Sequence, residues 1–98
     1  MAIESFKDKL TEAINKGEVT SQTTKLLPRE LHKKAMVRLA ALGAATSTRD
    51  LAMIRGNRFE ELKGDRKGQC SIRINDQYRV CFVWRDSNAH DVEITDYH

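Results

Sequence analysis

Long apolar runs, proline, cysteine and aromatic residues are all scarce in this sequence of 98 residues. No apolar run approaches the roughly 18 residues that a membrane-spanning helix needs. The first ten residues alternate charged and apolar side chains, which is not the pattern of a signal peptide. With 40% hydrophobic residues and one proline, the composition is ordinary for a soluble globular protein. We therefore expect a single domain, residues 1–98, that is cytoplasmic and has no membrane partner.

The two cysteines, Cys70 and Cys81, both fall in stretches with the pattern of β-strands. Two thiols without a signal sequence favour reduced, partly buried residues over a disulfide bond. Their spacing also lacks the CxxC or Cys/His pattern of a zinc site. The sequence thus predicts no bound metal and no other cofactor.

The basic residues are concentrated in one part of the chain. The net charge is +3 and the pI is near 9.0, but residues 55–85 alone hold eight basic residues against four acidic ones. That region therefore carries +4 and the rest of the chain −1. A basic region on a nearly neutral body is typical either of a protein that binds a polyanion or of a solvated surface.

The amino-terminal half shows helical periodicity. Residues 3–6 fit either a short strand or the lead into a helix, which begins near Phe6, continues to Ile14 and stops at Gly17. The polar residues 18–25 predict a loop.

A second helix is predicted after Pro28, which suits the first turn of a helix. Four apolar residues at helical spacing would form its buried face: Leu31, Ala35, Leu39 and Leu42. His32 is expected among lysines on the outer side, and Gly43 at the C-terminal cap. Thr48 predicts one further helical turn.

After Gly56 the period of the apolar residues changes from helical to the alternation of β-strands. Four segments are predicted as strands: residues 59–62, 70–75, 78–84 and 91–96. The segment 78–84 is largely apolar on both faces, which predicts a central strand. Turns are predicted at residues 75–77 and 85–90, with His90 as a surface residue in the second.

Helices first and an antiparallel meander second predict an α+β fold, with the amino-terminal helices packed on one face of a small, mainly antiparallel sheet. The opposite face would carry Arg73 and Arg79, on neighbouring strands on either side of a tight turn. There the two arginines would either converge on one anion or be solvated or paired with Glu93.

RNA can be cut without a metal because its own 2′-hydroxyl group can attack the adjacent phosphate. A protein site for this reaction removes the 2′ proton, protonates the leaving 5′ oxygen and stabilises a phosphorane that is richer in negative charge than the substrate. Arginine and lysine suit the last task, whereas histidine, tyrosine or a carboxylate suits the proton transfers.

The carboxy-terminal half holds all of these residue types. Lys63, Arg66 and Lys67 lie in a predicted turn whose two glycines let the backbone approach a ligand. Asp96, Tyr97 and His98 follow the last strand, where an aromatic ring can stack on an unpaired base. The structural alternatives are a Tyr97 that covers the sheet edge and a His98 that is solvated.

Three runs of residues together resemble the HigB toxins, which belong to the RelE/ParE superfamily of type II toxin–antitoxin systems. They are residues 62–69 (LKGDRKGQ), 71–82 (SIRINDQYRVCF) and 92–98 (VEITDYH). The match covers most of the carboxy-terminal part in order and with the same spacing. The amino-terminal half agrees only in its helical layout and in residues 44–46 and 50–51.

The resemblance implies a ribosome-dependent mRNA interferase. Such an endoribonuclease occupies the decoding (A) site beside the small-subunit rRNA and cuts messenger RNA through a 2′,3′-cyclic phosphate. The implied partners are the ribosome, mRNA and a HigA-like helix-turn-helix antitoxin that neutralises the toxin. Operator DNA would be contacted only through that antitoxin.

The family's functional residues carry over to named positions of this chain. Three cations would bind the scissile phosphate: Lys63, Arg73 and Arg79. Three residues would serve positioning and proton transfer, with the histidine as the leading acid/base candidate: Asp96, Tyr97 and His98. Three further basic residues would bind RNA: Arg58, Arg66 and Lys67. Glu60 stands where some family members have a histidine, so it is a candidate base that cannot supply a cation.

Two other functions stay open at this stage. One is a ParE-like poison of DNA gyrase, which would share the scaffold without RNA chemistry. The run Asp96-Tyr97-His98 argues against it. The other is a non-catalytic RNA-binding module, whose affinity would fall steeply as the salt concentration rises.

Overall fold

The computed structural model describes residues 2–96, which form a helical half followed by a four-stranded sheet. The helices are α1 (Lys9–Asn15), α2 (Ser21–Leu26), α3 (His32–Ala44) and α4 (Thr48–Met53). The strands are β1 (Glu60–Glu61), β2 (Cys70–Arg73), β3 (Arg79–Arg85) and β4 (Asn88–Thr95). Two short 3₁₀ turns lie at Arg29–Leu31 and Gly64–Arg66. None of the helices in the described part is long and apolar enough to cross a membrane.

The sheet is an antiparallel meander in the order β1-β2-β3-β4. Strand β3 has a neighbour on each side, as its apolar composition predicts, and β1 is the short additional strand expected at residues 59–62. The α+β prediction is therefore confirmed. The turn at residues 75–77 is also confirmed, since the Asn75 side chain accepts hydrogen bonds from the backbone N–H groups of Gln77 and Tyr78 at 2.9 and 2.7 Å.

One face of the sheet packs against the helices and forms the core. Its buried strand residues alternate along the chain, and they are Cys70, Ile72, Val80, Phe82, Val92 and Ile94. Ala35, Leu39 and Leu42 of α3 and Leu51 of α4 complete the core from the helical side. Phe82 is 1% exposed, and burying a side chain of that kind stabilises a fold by about 1.5–3 kcal/mol.

Strand β4 contains one extra residue relative to β3. Cys81 is paired with Glu93, but Val83 is paired with His90, so Phe82 stands opposite both Asp91 and Val92. Asp91 has a positive φ of 53°, as expected for a β-bulge.

The amino-terminal segment lies along β4 rather than forming the start of a helix. Isolated parallel bridges join Ile3 to Ala89 and Phe6 to Val92. Helix α1 begins later than its apolar pattern predicts, because Asp8 caps it by accepting a hydrogen bond from the backbone N–H of Thr11 at 3.1 Å.

The prediction of a loop at residues 18–25 is wrong, because helix α2 occupies most of it. Thr20 accepts a hydrogen bond from the backbone N–H of Thr23, and the Thr23 hydroxyl accepts one in return from the backbone of Thr20. This reciprocal capping compensates for the low helix propensity of the threonines in the segment.

The expectations for His32 and Gly43 are wrong as well, and so is the placement of His90 in a turn. His32 is 6% exposed, and its Nε2 is hydrogen-bonded to the carbonyl of Leu27 at 2.8 Å, because the chain folds back at the start of α3. His90 belongs to β4 rather than to the turn, and it contacts Arg85. Gly43 lies inside α3, which continues to Ala44.

Candidate active site

The sheet face opposite the helices is polar, and the strand register arranges its side chains in two adjacent rows. One row across the strands is Glu60, Ser71, Cys81 and Glu93. The other is Arg73, Arg79 and Thr95. We call these seven residues the polar sheet face.

Arg79 is held in place through every nitrogen of its guanidinium group. Its Nε donates to the Ser71 hydroxyl at 2.7 Å, and one terminal nitrogen donates to the backbone carbonyl of Arg58. The other terminal nitrogen lies 3.8 Å from the Glu60 carboxylate. The side chain is 14% exposed, so this cation is fixed at the surface rather than freely mobile in solvent. A fixed cation stabilises developing negative charge without reorganising during the reaction.

Arg73 is paired with Arg79 in the register of β2 and β3, but its guanidinium group is bound elsewhere. Its terminal nitrogen lies 2.7 Å from the carboxylate of Asp76, in the turn between the two strands. The expected pairing of either arginine with Glu93 is not what the structure shows. Arg79 faces Glu60 and Arg73 faces Asp76.

Glu93 instead ties the β1–β2 loop to the sheet. Arg66 donates to the Glu93 carboxylate at 2.7 Å and to the side-chain oxygen of Gln69 at 3.0 Å. Lys7, from the amino-terminal segment, lies 3.6 Å from the other oxygen of Glu93. The loop that contains Arg66 is thereby anchored beside the polar sheet face.

The remaining basic residues of that loop, Lys63 and Lys67, are exposed. The loop turns at Gly64 and Gly68, whose φ angles are 65° and 93°. A Cβ atom at either glycine would meet nothing within 4 Å, so these positions need glycine for the backbone conformation and not for lack of space. Because both lysine side chains are exposed, they are accessible to a polyanion.

Asp96 follows Thr95, which is paired with Arg79 in the sheet register. Its carboxylate accepts a hydrogen bond from the Gln77 side chain at 2.9 Å, so it lies beside the β2–β3 turn. The structure thus brings Asp96 into the neighbourhood of Arg73 and Arg79. The predictions for Tyr97 and His98 lie outside the described residues.

Both cysteines are free and buried, in agreement with the prediction of reduced thiols. Burial raises the pKa of the Cys70 thiol, and it raises that of Cys81 to about 11. Cys81 therefore carries a proton at neutral pH and is not a nucleophile on the polar sheet face. Within residues 2–96, no three histidine, cysteine or acidic side chains cluster as metal ligands would.

A buried asparagine, Asn57, joins the helices to this site. Its side-chain oxygen accepts from Arg38 at 2.8 Å, and its side-chain nitrogen donates to the carbonyl of Leu51 at 3.1 Å. Its own carbonyl accepts from the backbone N–H of Arg73 at 2.6 Å. The next residue, Arg58, has a positive φ of 43° and presents its carbonyl to Arg79. Asn57 thus fixes the segment on which the Arg79 guanidinium group rests.

Replacing Asn57 with alanine is expected to lower the free energy of unfolding by about 2 kcal/mol. The change removes two side-chain hydrogen bonds at a fully buried position, one of them to a charged group. Urea unfolding monitored by circular dichroism measures the effect. Asn88→Ala is the matched control, because the Asn88 side chain bonds only locally, to the carbonyl of Asp86 in an exposed turn. Equal unfolding free energies for the two variants would contradict this role of Asn57.

Sequence reasoning missed the residues that hold the cations in place. Ser71 gives a weak signal, as a small polar residue on the same strand face as Arg73. Asn57 gives none, because an asparagine after a glycine has the pattern of an ordinary loop residue. Its partners Arg38 and Leu51 come from elements that only the tertiary fold brings together.

Comparison with known proteins yields a family and a curated relative. The profile of a family described as RelE-like toxin of type II toxin-antitoxin system HigB matches residues 4–98. The chain is 42% identical over 89 residues to toxin HigB-1 of Vibrio cholerae serotype O1 (strain ATCC 39315 / El Tor Inaba N16961). That alignment covers 91% of this chain and 90% of the toxin.

Two solved structures from Staphylococcus aureus share the fold. One is a YoeB-YefM complex, with a TM-score of 0.61, and the other is a YoeB dimer, with a TM-score of 0.60. Each is 18% identical in sequence, and each alignment covers 100% of this chain and 99% of the other. At that identity the likeness concerns the fold alone.

Proposed function

Because this chain belongs to the HigB-like family of RelE-like toxins from type II toxin–antitoxin systems, we propose that it is an endoribonuclease that cuts messenger RNA on the ribosome. It would act as an mRNA interferase, stop translation, and work where ribosomes are, in the cytoplasm. The observation that carries the proposal is the fixed Arg79 guanidinium group, which lies next to Arg73 and close to Asp96 on the polar sheet face.

The reaction is an internal transfer of the phosphoryl group. The 2′-oxygen of one nucleotide attacks the adjacent phosphorus, the bond from phosphorus to the 5′-oxygen breaks, and a 2′,3′-cyclic phosphate and a 5′-hydroxyl group result. A base takes the 2′ proton and an acid gives a proton to the 5′-oxygen, so no water, oxidant or metal is consumed. Cations that bind the phosphorane more tightly than the diester accelerate the reaction.

The residues of this chain divide these tasks. Arg79, Arg73 and Lys63 would bind and neutralise the phosphate. His98 would transfer protons, with Asp96 and Tyr97 positioning the reacting groups. Three further cations would hold the RNA on either side: Arg58, Arg66 and Lys67.

Glu60 lies 3.8 Å from the Arg79 guanidinium group, at the position where some family members have a histidine. We propose it as a candidate base, since a carboxylate can accept a proton but cannot neutralise the phosphate. We therefore assign Glu60 at most the role of a base, and we expect the cationic part of the mechanism to rest on the arginines and Lys63.

The partners follow from the same proposal. The ribosome would present mRNA in its A site, beside the small-subunit rRNA. A HigA-like helix-turn-helix antitoxin would neutralise this chain and link it to operator DNA. The YoeB-YefM toxin-antitoxin complex, which shares the fold of this chain, supports the proposal of an antitoxin partner.

The test is controlled expression followed by mapping of RNA 5′ ends. New 5′-hydroxyl ends within translated codons, a rapid stop in protein synthesis and continued DNA replication are the expected results, with rescue by the co-expressed antitoxin. Arrest of replication before translation would instead show a gyrase poison. Ribosome binding without new RNA ends would show a non-catalytic RNA-binding module.

A further inference from the structure

Asp76 is an exposed carboxylate that is held by a cation of the site. It lies in the turn between β2 and β3, its side chain is 97% exposed, and it is 2.7 Å from the Arg73 guanidinium group. An exposed ion pair of this kind contributes little to folding, so the fold does not require it. The carboxylate nevertheless occupies the place where Arg73 would bind another anion.

Two further basic residues belong to segments that the fold brings next to Arg73. The backbone carbonyl of Asn57 accepts a hydrogen bond from the backbone N–H of Arg73. Arg58, the residue after Asn57, therefore lies beside Arg73. The side-chain oxygen of Asn57 accepts from Arg38 of α3, and Lys34 lies one helical turn before Arg38 on the same face of that helix. The hydrogen bond from Arg73, and then the positive charges of Arg73, Arg58 and Lys34, hold the pKa of Asp76 below its ordinary value. Three elements distant in sequence therefore direct positive charge at one carboxylate.

This place is separate from the one that Arg79 defines. Arg79 is bound to the Ser71 hydroxyl and to the Arg58 carbonyl, whereas Arg73 extends to the turn. The two arginines are register partners, but their guanidinium groups contact different acceptors, so Arg73 lies between the scissile phosphate at Arg79 and a second anion position at the turn. Neighbouring phosphates along an RNA strand are anions that require such a pair of positions.

We propose that Lys34, Arg58 and Arg73 form a second phosphate-binding site, next to the scissile position, and that the Asp76 carboxylate occupies this site in the free protein. The ligand is a backbone phosphate of the bound RNA, so the inference rests on the proposed function. RNA displaces Asp76, which rotates into solvent without loss of packing because its side chain is almost fully exposed. Lys34 thereby becomes a residue for RNA binding, although its position on a helix surface gives no sign of this in the sequence.

The test measures binding without cleavage. A fluorescent 12-nucleotide RNA with 2′-O-methyl groups throughout has no 2′-hydroxyl group to attack its phosphates, and anisotropy titrations of the full chain at several salt concentrations give its Kd. Asp76→Asn is expected to tighten binding by about two- to fivefold, the equivalent of one exposed ion pair that no longer has to be broken. Lys34→Ala is expected to weaken binding and to lower the slope of log Kd against log salt by about 0.7, the loss of one phosphate contact with a single strand.

Lys33→Ala is the matched control, since Lys33 is an exposed neighbour on the same helix with the same charge. It is expected to leave the salt slope unchanged, and thermal unfolding checks that all variants fold. Unchanged or weaker binding by Asp76→Asn, or equal effects of Lys33→Ala and Lys34→Ala, would overturn the second site. Because this RNA cannot be cut, its binding is measured independently of the nuclease assay, so failure of the second site can be told apart from failure of the proposed function.

Discussion

Alanine in place of Arg79 is expected to lower the rate of mRNA cleavage on ribosomes by about 10²–10³-fold, the usual effect of removing one fixed donor to a developing anion. The guanidinium group is held by Ser71, the Arg58 carbonyl and Glu60, so its charge is in place before the substrate binds. Cleavage of a programmed mRNA in a reconstituted translation system measures the rate. In cells, the same change should relieve growth arrest.

Two variants show whether the effect belongs to this site. Arg79→Lys keeps the charge but loses the planar fork, and it should recover only part of the rate. Arg85→Ala removes the same charge from the exposed end of the same strand and should stay close to wild type. If Arg79→Ala folds and cleaves at the wild-type rate, Arg79 has no role in the chemistry.

His98→Ala is expected to reduce cleavage by about 10²–10⁴-fold, the range typical of losing a general acid or base. The expectation rests on the family pattern Asp96-Tyr97-His98. It also rests on the position of Asp96 beside the β2–β3 turn, where Asp76 is paired with Arg73. A histidine that transfers protons should make the wild-type rate depend on pH near neutrality. The alanine variant should lose that dependence.

The matched control for this prediction is His90→Ala, which removes a histidine of β4 that contacts Arg85 near the β3–β4 turn, at the other end of the ladder from Arg79. It should retain both the rate and the pH profile. A pH profile that is identical in wild type and His98→Ala would remove His98 from proton transfer. If His98→Ala and Arg79→Ala both remain fully toxic, the whole assignment of the site is wrong.

Most of the sheet was predictable because two of its strands have clear patterns. Apolar and polar residues alternate in Cys70–Arg73, and Arg79–Arg85 is apolar on both faces over most of its length, as expected for a central strand. A strand's period is two, so the polar face and its arginines follow directly from the sequence.

The helical half was less predictable, because local hydrogen bonds decided it. Periodicity gives no sign of α2, whose threonines favour a loop until Thr20 and Thr23 cap each other. Likewise, His32 has the pattern of a surface residue, and only the fold-back of the chain brings it to the carbonyl of Leu27. Hydrophobic patterns report burial, and they do not report a polar contact between neighbouring turns.

For the candidate site, the sequence located the cations but not their directions. The β2–β3 hairpin predicts that Arg73 and Arg79 face each other, and the register confirms it. A long side chain, however, takes its direction from whichever acceptor lies within reach. Ser71 and the Arg58 carbonyl decide it for Arg79, and Asp76 decides it for Arg73.

The bulge at Asp91 determines which side of the sheet the last described residues occupy. In a regular strand Ala89 and Val92, three positions apart, would point to opposite faces, yet both are fully buried. The bulge resolves this conflict, because Asp91 and Val92 together stand opposite Phe82. A strand that kept Asp91 in regular extended conformation would turn Glu93 and Thr95 toward the hydrophobic core, because side chains alternate at every position. The positive φ of Asp91 is thus the local conformation on which the position of Asp96 beside the arginines depends.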